Sequence, residues 1–270
     1  MNALKSLLAA DGALVAPYVC DGLQARVAAQ AGFTAIYMTG FGTAAARGLP
    51  DVGLLSVTEM INAVQFLTDA VDIPVICDAD TGYGNALNVQ RTVRAYERAG
   101  ASALHIEDQV WPKRCGFLQG KEVIALPEML SKVKAAVDAS DEILIIARTD
   151  ALAPLGWDAV VERVGAFHEA GADLVFVDGI RSRKDLQDYI DKTPGIPKLY
   201  NGVLPVPDDA NIKLIIDPTT MLSLFAEMQR IFAAVREGTQ APIDGSEFVN
   251  MTNLLGVAET LAVAERFEEQ

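Results

Sequence analysis

Arg98-Ala99-Gly100-Ala101-Ser102-Ala103-Leu104-His105-Ile106-Glu107-Asp108 reads as a helix end, a turn and a buried strand with acid at its far end. Gly100 stands where a helix C-terminus calls for a left-handed residue. Ala103–Glu107 is a short apolar run of the kind that forms parallel strands covered on both faces. The same junction recurs at Gln30-Ala31-Gly32-Phe33 and at Glu169-Ala170-Gly171-Ala172.

Working outward, short β-rich runs fall at Leu14–Val19, Ala35–Thr39, Pro74–Asp78, Ala103–Glu107, Ile143–Arg148, Leu174–Asp178, Lys198–Asn201 and Lys213–Asp217. Between them lie helical stretches such as Asp21–Ala31, Val57–Ala70, Asn88–Ala99, Leu126–Ala139, Trp157–Ala170 and Ser182–Lys192. Eight β-then-α units in series predict an α/β fold, a closed (β/α)8 barrel of the TIM type, with an open doubly wound sheet as the competitor. No linker divides the chain, so residues 1–270 are expected to form a single barrel domain. Thr220–Glu237 and Val249–Glu268 predict two further helices. That is more helix than a barrel requires, so residues 220–270 are expected to pack on a neighbouring subunit.

The chain has 270 residues, 51% hydrophobic and 21% charged, with a net charge of −14. Such apolar content excludes intrinsic disorder. The acidic surface repels phosphate backbones and anionic lipid, so neither nucleic acid nor membrane is an expected partner. Three cysteines, Cys20, Cys77 and Cys115, make no disulfide framework. With no leader pattern and no membrane span, the expected compartment is the cytoplasm.

A barrel of this type carries its active site at the C-terminal strand ends, and polar residues collect there. Asp78 and Asp80 flank one residue at the third strand end. With Glu107 or Asp108 they form an all-oxygen cluster that selects Mg²⁺, or Mn²⁺, over zinc. The competing reading is capping and solvated loop carboxylates. Thr39-Gly40-Phe41-Gly42 offers backbone N–H groups to an anion, or is simply a tight turn. Arg148 suits a substrate carboxylate, or an internal ion pair with Asp150 or Glu107. Lys113, Arg114 and Lys121 surround Cys115 in sequence and would lower its pKa, suiting it to proton transfer or nucleophilic work; a basic surface loop with an idle thiol fits the stretch equally well. His105 is catalytic or holds its neighbours in place. Tyr37 and Tyr83 stand near strand ends, where they would line a pocket, and the seventh strand ends at Asn201.

Pro74-Val75-Ile76-Cys77-Asp78-Ala79-Asp80-Thr81-Gly82-Tyr83-Gly84, His105-Ile106-Glu107-Asp108-Gln109, Pro112-Lys113-Arg114-Cys115-Gly116 and Ile146-Ala147-Arg148-Thr149-Asp150 together resemble the isocitrate lyase/phosphoenolpyruvate mutase superfamily. Met38-Thr39-Gly40 through Gly48-Leu49-Pro50-Asp51 adds to the likeness, which covers roughly residues 5 to 180. It is nearest the branch of methylisocitrate lyase, dimethylmalate lyase and carboxyphosphonoenolpyruvate mutase. The resemblance implies a barrel assembled as a dimer of dimers, with a terminal helix swapped between subunits. It implies Mg²⁺ held by Asp78, Asp80 and Glu107, with Asp51 nearby. Thr39, Gly40 and Arg148 would bind an oxo-acid fragment that His105 orients, with Tyr37, Phe41, Gly116 and Asn201 around it. The loop of Lys113 and Cys115 would be a gating lid, and Cys115 the general acid.

The chain departs from the family pattern at Phe117, where the lyases carry histidine, and at Asp178, where glutamate is usual. Asp217-Pro218-Thr219-Thr220-Met221-Leu222-Ser223 lacks the arginine of a methylisocitrate lyase. A succinate-like dianion would be poorly neutralised, so methylisocitrate itself is not the expected substrate. The expected activity is Mg²⁺-dependent cleavage of a carbon–carbon bond in a small 2-hydroxy or 2-oxo dicarboxylate. The alternatives are a phosphonopyruvate- or carboxyphosphonoenolpyruvate-type mutase or hydrolase, an oxaloacetate decarboxylase, and a barrel that binds an oxo acid without turnover.

Overall fold

Side chains alternate along each strand between two buried layers, and that alternation builds the molecule. The computed structural model describes residues 3–116 and 118–268. Eight parallel strands close into a barrel in chain order. They are β1 Leu14–Val19, β2 Ile36–Met38, β3 Val75–Asp78, β4 Ala103–Glu107, β5 Leu144–Thr149, β6 Leu174–Val177, β7 Lys198–Asn201 and β8 Ile212–Asp217. Each lies within one residue of its expected span. Pairing of β1 with β8 excludes the open sheet.

Ile76, Ala103, Ile146, Phe176 and Leu199 fill the barrel interior. Their strand neighbours Cys77, Leu104, Ala147, Val175 and Tyr200 face the surrounding helices. Carrying the period of two one step further along β3, β5, β6 and β7 brings Asp78, Arg148, Asp178 and Asn201 to the inner C-terminal rim. On β4 it brings His105 and then Glu107. The register sets Asp78 beside His105 and Glu107 beside Arg148. Gly32, Gly100 and Gly171 follow their helices with φ of 91°, 91° and 100°, the left-handed conformation expected at those junctions.

The structure departs from the expected pattern at four places. Helix Ala3–Leu8 plugs the N-terminal end of the barrel with Leu4. A short helix, Gly40–Ala45, follows β2 directly, where a tight turn was one reading. The seventh unit has no helix: residues 202–211 run from β7 to β8 as turn and coil. After β8 come three helices rather than two, Thr219–Glu237, Gly245–Leu254 and Val257–Glu268, because Gly256 at φ 70° breaks the last stretch. Thr219–Glu237 buries none of its residues and leaves Leu222, Phe225 and Phe232 at 58%, 56% and 71% exposure. Among the described residues no helix is long and apolar enough to cross a membrane. Phe117 lies outside the described residues.

Candidate active site

The C-terminal mouth of the barrel opens on a cavity of about 480 Å³. Ten of the residues expected at the site line it: Tyr37, Thr39, Phe41, Asp51, Asp78, Lys113, Cys115, Gly116, Arg148 and Asn201. Tyr18, Leu118, Asp178, Pro218, Met221 and Leu222 complete much of the wall. The remaining expected residues, Gly40, Asp80, His105 and Glu107, are buried just behind it.

Acid is in excess beneath the cavity. Asp51, Asp78, Asp80, Glu107, Asp150 and Asp178 share Lys113, Lys121 and Arg148. Lys113 Nζ lies 2.5 Å from Asp51 Oδ1 and 2.8 Å from Asp80 Oδ1. Burial pushes its pKa down, but Asp80, Asp78, Glu107 and Asp51 outweigh that and hold it firmly charged. Arg148 donates to both oxygens of Asp150, at 2.8 and 3.1 Å, and lies 3.2 Å from Glu107 Oε2. The structure therefore displays the internal pairing that the sequence left open for Arg148, while its guanidinium also lines the cavity. Burial pushes Asp150 up, yet Arg148 and Lys121 hold its carboxyl down at about 2.

The carboxylates left short of cations are driven the other way. Burial, reinforced by Asp78 and Asp51, raises Asp80 to about 6 despite Lys113. Burial likewise raises Glu107 well above its usual range against the pull of Arg148. Asp80 is also held at φ 46°, a conformation uncommon for a residue with a side chain. A crowded, desolvated set of hard oxygens is the environment that a dication relieves.

The fit of such an ion can be judged from the oxygens. Asp78 accepts the N–H of Gly40 at 3.3 Å and that of Asp80 at 2.9 Å. Asp80 Oδ1 and Glu107 Oε2 are buried without a hydrogen bond; Lys113 and Arg148 approach them, but as ion pairs with poor hydrogen-bond angles. Among the described residues no three acidic, histidine or cysteine side chains converge tightly enough to ligate one ion directly. The donor set thus fits a hard dication that keeps much of its water. Asp108 is not part of it. Thr149 Oγ1, Asp150 N–H and Arg163 all donate to Asp108, binding it into the frame behind β5.

His105 is wholly buried and meets the cavity through Tyr37, whose hydroxyl lies 2.8 Å from its Nε2. Burial lowers His105 to about 4, so the ring is neutral near pH 7. Burial keeps Tyr37 protonated, its hydroxyl shares one hydrogen bond with Nε2, and Nδ1 lies 3.8 Å from Asp78 Oδ1 without a hydrogen bond of its own. The β2 turn is already occupied: Gly42 N–H bonds Thr39 Oγ1, and Gly40 N–H bonds Asp78. Glycine is required at 40, since a Cβ there would lie 2.5 Å from Asp78 Oδ2.

The loop after β4 folds over the opening. The cations expected to crowd Cys115 have other partners: Arg114 bonds the Gln119 carbonyl, Lys113 bonds Asp51, and Lys121 bonds Asp150 and Asp178 at 2.7 and 3.0 Å. Lys121 also bonds the Gly116 carbonyl at 3.0 Å, clasping the loop to the ends of β5 and β6. The sequence singled out Lys121 only as a neighbour of Cys115. Its carboxylate partners lie in β-strand ends that only the fold brings near. Tyr18, Met221 and Leu222 carried no signal beyond apolar strand or helix.

A family model described as phosphoenolpyruvate phosphomutase matches residues 4–233. The chain is 44% identical over 195 residues to a 2,3-dimethylmalate lyase of Eubacterium barkeri, covering 71% of this chain and 68% of that protein. It is 39% identical over 251 residues to a 2-methylisocitrate lyase of Aeropyrum pernix, covering 89% and 81%. A crystal structure of phosphonopyruvate hydrolase in complex with oxalate and Mg²⁺ superposes with a TM-score of 0.85 at 28% identity, covering 99% of each chain. The chain belongs to the phosphoenolpyruvate mutase family, within the isocitrate lyase/phosphoenolpyruvate mutase superfamily. It is an enzyme of the lyase type.

Proposed function

We propose that this enzyme is a Mg²⁺-dependent carbon–carbon lyase that cleaves a small 2-hydroxy or 2-oxo dicarboxylate carrying short alkyl groups. The observation that carries the reading is the division of the cavity. Asp51, Asp78, Lys113, Arg148 and Asp178 supply its charged lining, whereas Phe41, Leu118, Pro218, Met221 and Leu222 supply an apolar one. Lys113 and Arg148 are already paired, so a third carboxylate of the methylisocitrate kind would be desolvated without a partner. Methyl groups on the carbon beyond the cleaved bond suit that wall, and the likeness to a dimethylmalate lyase supports the same choice.

In this reading Asp78, Asp80 and Glu107 hold the Mg²⁺, with Asp51 near them through Lys113. Held there, Mg²⁺ would supply electrostatic stabilisation for negative charge on an oxo-acid oxygen. Arg148, Thr39 and Asn201 seat the substrate's polar end, Gly40 orients Asp78 behind them, and Tyr37, Phe41 and Gly116 confine it. Neutral His105 fixes the Tyr37 hydroxyl. Cys115 protonates the departing carbanion while the closed loop excludes water. The substrate's 2-hydroxyl gives its proton to a carboxylate of the cavity lining, Asp51 or Asp178, as its oxygen closes to the carbonyl; the carbon–carbon electron pair leaves with the second fragment, and the thiol proton lands on that fragment's carbon. The helices Thr219–Glu237, Gly245–Leu254 and Val257–Glu268, with their exposed apolar side chains, serve assembly into a tetramer of two dimers, and the enzyme works in the cytoplasm.

Phosphorus–carbon cleavage is the second reading, supported by the likeness to phosphonopyruvate hydrolase. A coupled assay for pyruvate and glyoxylate separates the two, run with dimethylmalate, citramalate, methylisocitrate, oxaloacetate and phosphonopyruvate, each with Mg²⁺ and with EDTA. EDTA-sensitive release from an alkylated malate, well above that from methylisocitrate, is expected. Turnover of phosphonopyruvate alone would overturn the proposal.

A further inference from the structure

Gln109 is buried two residues beyond β4 and uses its entire amide. Its Nε2 donates to Glu107 Oε1 at 2.8 Å and to the Arg114 carbonyl at 2.8 Å. Its Oε1 accepts the Arg114 N–H at 2.9 Å. The backbone on either side closes the same ring: Gln109 bridges Val123 in antiparallel fashion, and Val110 N–H bonds the Glu122 carbonyl. The loop that carries Cys115 therefore leaves and returns at Gln109, and the amide grips it at the residue before Cys115. On its other side the amide holds one oxygen of Glu107, the carboxylate whose second oxygen is buried without a hydrogen bond.

This amide cannot turn over. A flip would set its oxygen against Glu107 and the Arg114 carbonyl and its NH₂ against the Arg114 N–H, reversing every bond it makes. Glu107 and the loop at Arg114 are thus tied through one rigid, planar group.

We propose that Gln109 is a positioning residue that couples occupancy of the dication site at Glu107 to seating of the Cys115 loop. The coupling rests on the metal reading above. A carboxylate fixed by an ion on one oxygen presents the other to Gln109 in a single orientation, and the amide then clamps Arg114 from both sides. Linkage makes the effect reciprocal: a clamped loop raises affinity for the ion by the same factor.

The test uses Mg²⁺ alone as the probe. Hydrogen exchange of residues 110–123 is followed with and without Mg²⁺, and Mg²⁺ affinity is measured by calorimetry, for the intact enzyme, Gln109→Glu and Gln109→Met. Gln109→Glu keeps the size and the acceptor for Arg114 N–H but has at most one proton to donate, so it cannot hold Glu107 and the Arg114 carbonyl together, and it remains informative if Gln109→Met fails to fold. In the intact enzyme Mg²⁺ should slow exchange of the loop about tenfold, the worth of one well-made hydrogen bond. Gln109→Met should bind Mg²⁺ about tenfold more weakly, and in both variants loop exchange should be fast and indifferent to Mg²⁺. Weaker Mg²⁺ binding with Mg²⁺-dependent protection of the loop preserved would show a merely structural role and overturn the proposal. An intact enzyme that binds Mg²⁺ without slowing its loop would overturn this coupling alone. One that binds no Mg²⁺ would overturn the metal reading and the coupling together.

Discussion

The Lys113 ammonium lies 2.8 Å from the Asp80 carboxylate, 97% buried in a set of acids that outnumber their cations, and it bonds Asp51 as well. A residue read from sequence as tuning the Cys115 thiol is placed by the fold as the internal counter-ion of the carboxylate cluster. Its removal leaves buried charge uncompensated. Lys113→Met should cost about 3–5 kcal/mol of stability without divalent ion, as breaking a buried pair does. Mg²⁺ should return a large part of the lost Tm, because it supplies the missing charge. Thermal melts with Mg²⁺ and with EDTA check both effects; an unchanged Tm would remove Lys113 from this role.

Gly116 approaches Asp178 so closely that a Cβ would lie 2.1 Å from its Oδ2. Gly116→Ala should therefore unseat the loop from the ends of β5 and β6 at a cost of about 1–3 kcal/mol. Because the barrel does not depend on the loop, the loss should appear as lower kcat/KM and faster proteolysis after exposed Arg114, with little change in Tm. Steady-state kinetics and limited trypsin digestion would test this.

The barrel was legible because its signal is local. Three Ala-Gly junctions, eight apolar runs and acid at the run ends each arise from a few consecutive residues, and the period of two carries Asp78, Glu107 and Arg148 inward without further assumption. What escaped depends on distant parts of the chain meeting. Lys121 finds Asp150 and Asp178 only when the loop folds back; Gln109 finds Arg114 the same way. Met221 and Leu222 reach the cavity because β8 closes against β1 and so sets the following helix over Tyr18. Helix Gly40–Ala45 was hidden by its glycines, and the break at Gly256 by good helix formers on either side.

Lys198 enters β7 at the opposite end of the barrel, 1% exposed, with its Nζ bonded to the Ile196 carbonyl. Burial lowers it to about 8 from the usual lysine value near 10.5. Below pH 8 both folded and unfolded chains carry the proton, so the cost of burying the charge is present in full. It fades as pH rises from 8 to 10.5, where the folded state releases the proton first. Lys198→Met should add about 1–3 kcal/mol at pH 7. The gain should shrink above pH 10. Denaturant unfolding at pH 7 and pH 10 measures it.

The helix Thr219–Glu237 presents Phe225 and Phe232 outward at 56% and 71% exposure, and Phe248 follows at 66%. Exposed aromatics in such number mark an association surface. Light scattering should give a tetramer for the intact chain and a smaller species for Phe225→Glu/Phe232→Glu. An intact chain that stays monomeric at micromolar concentration would refute the assembly.

The central claim is tested most directly by the fate of the carbon–carbon bond in D₂O. With Mg²⁺ and 2,3-dimethylmalate, proton NMR should show a 2-oxo acid appearing together with a second fragment that carries one deuterium at the carbon where the bond was broken. EDTA should stop both, and Cys115→Ser should slow them by a factor of about 10²–10⁴, the contribution of a positioned acid. An intact substrate beside brisk release of phosphate from phosphonopyruvate would contradict the account.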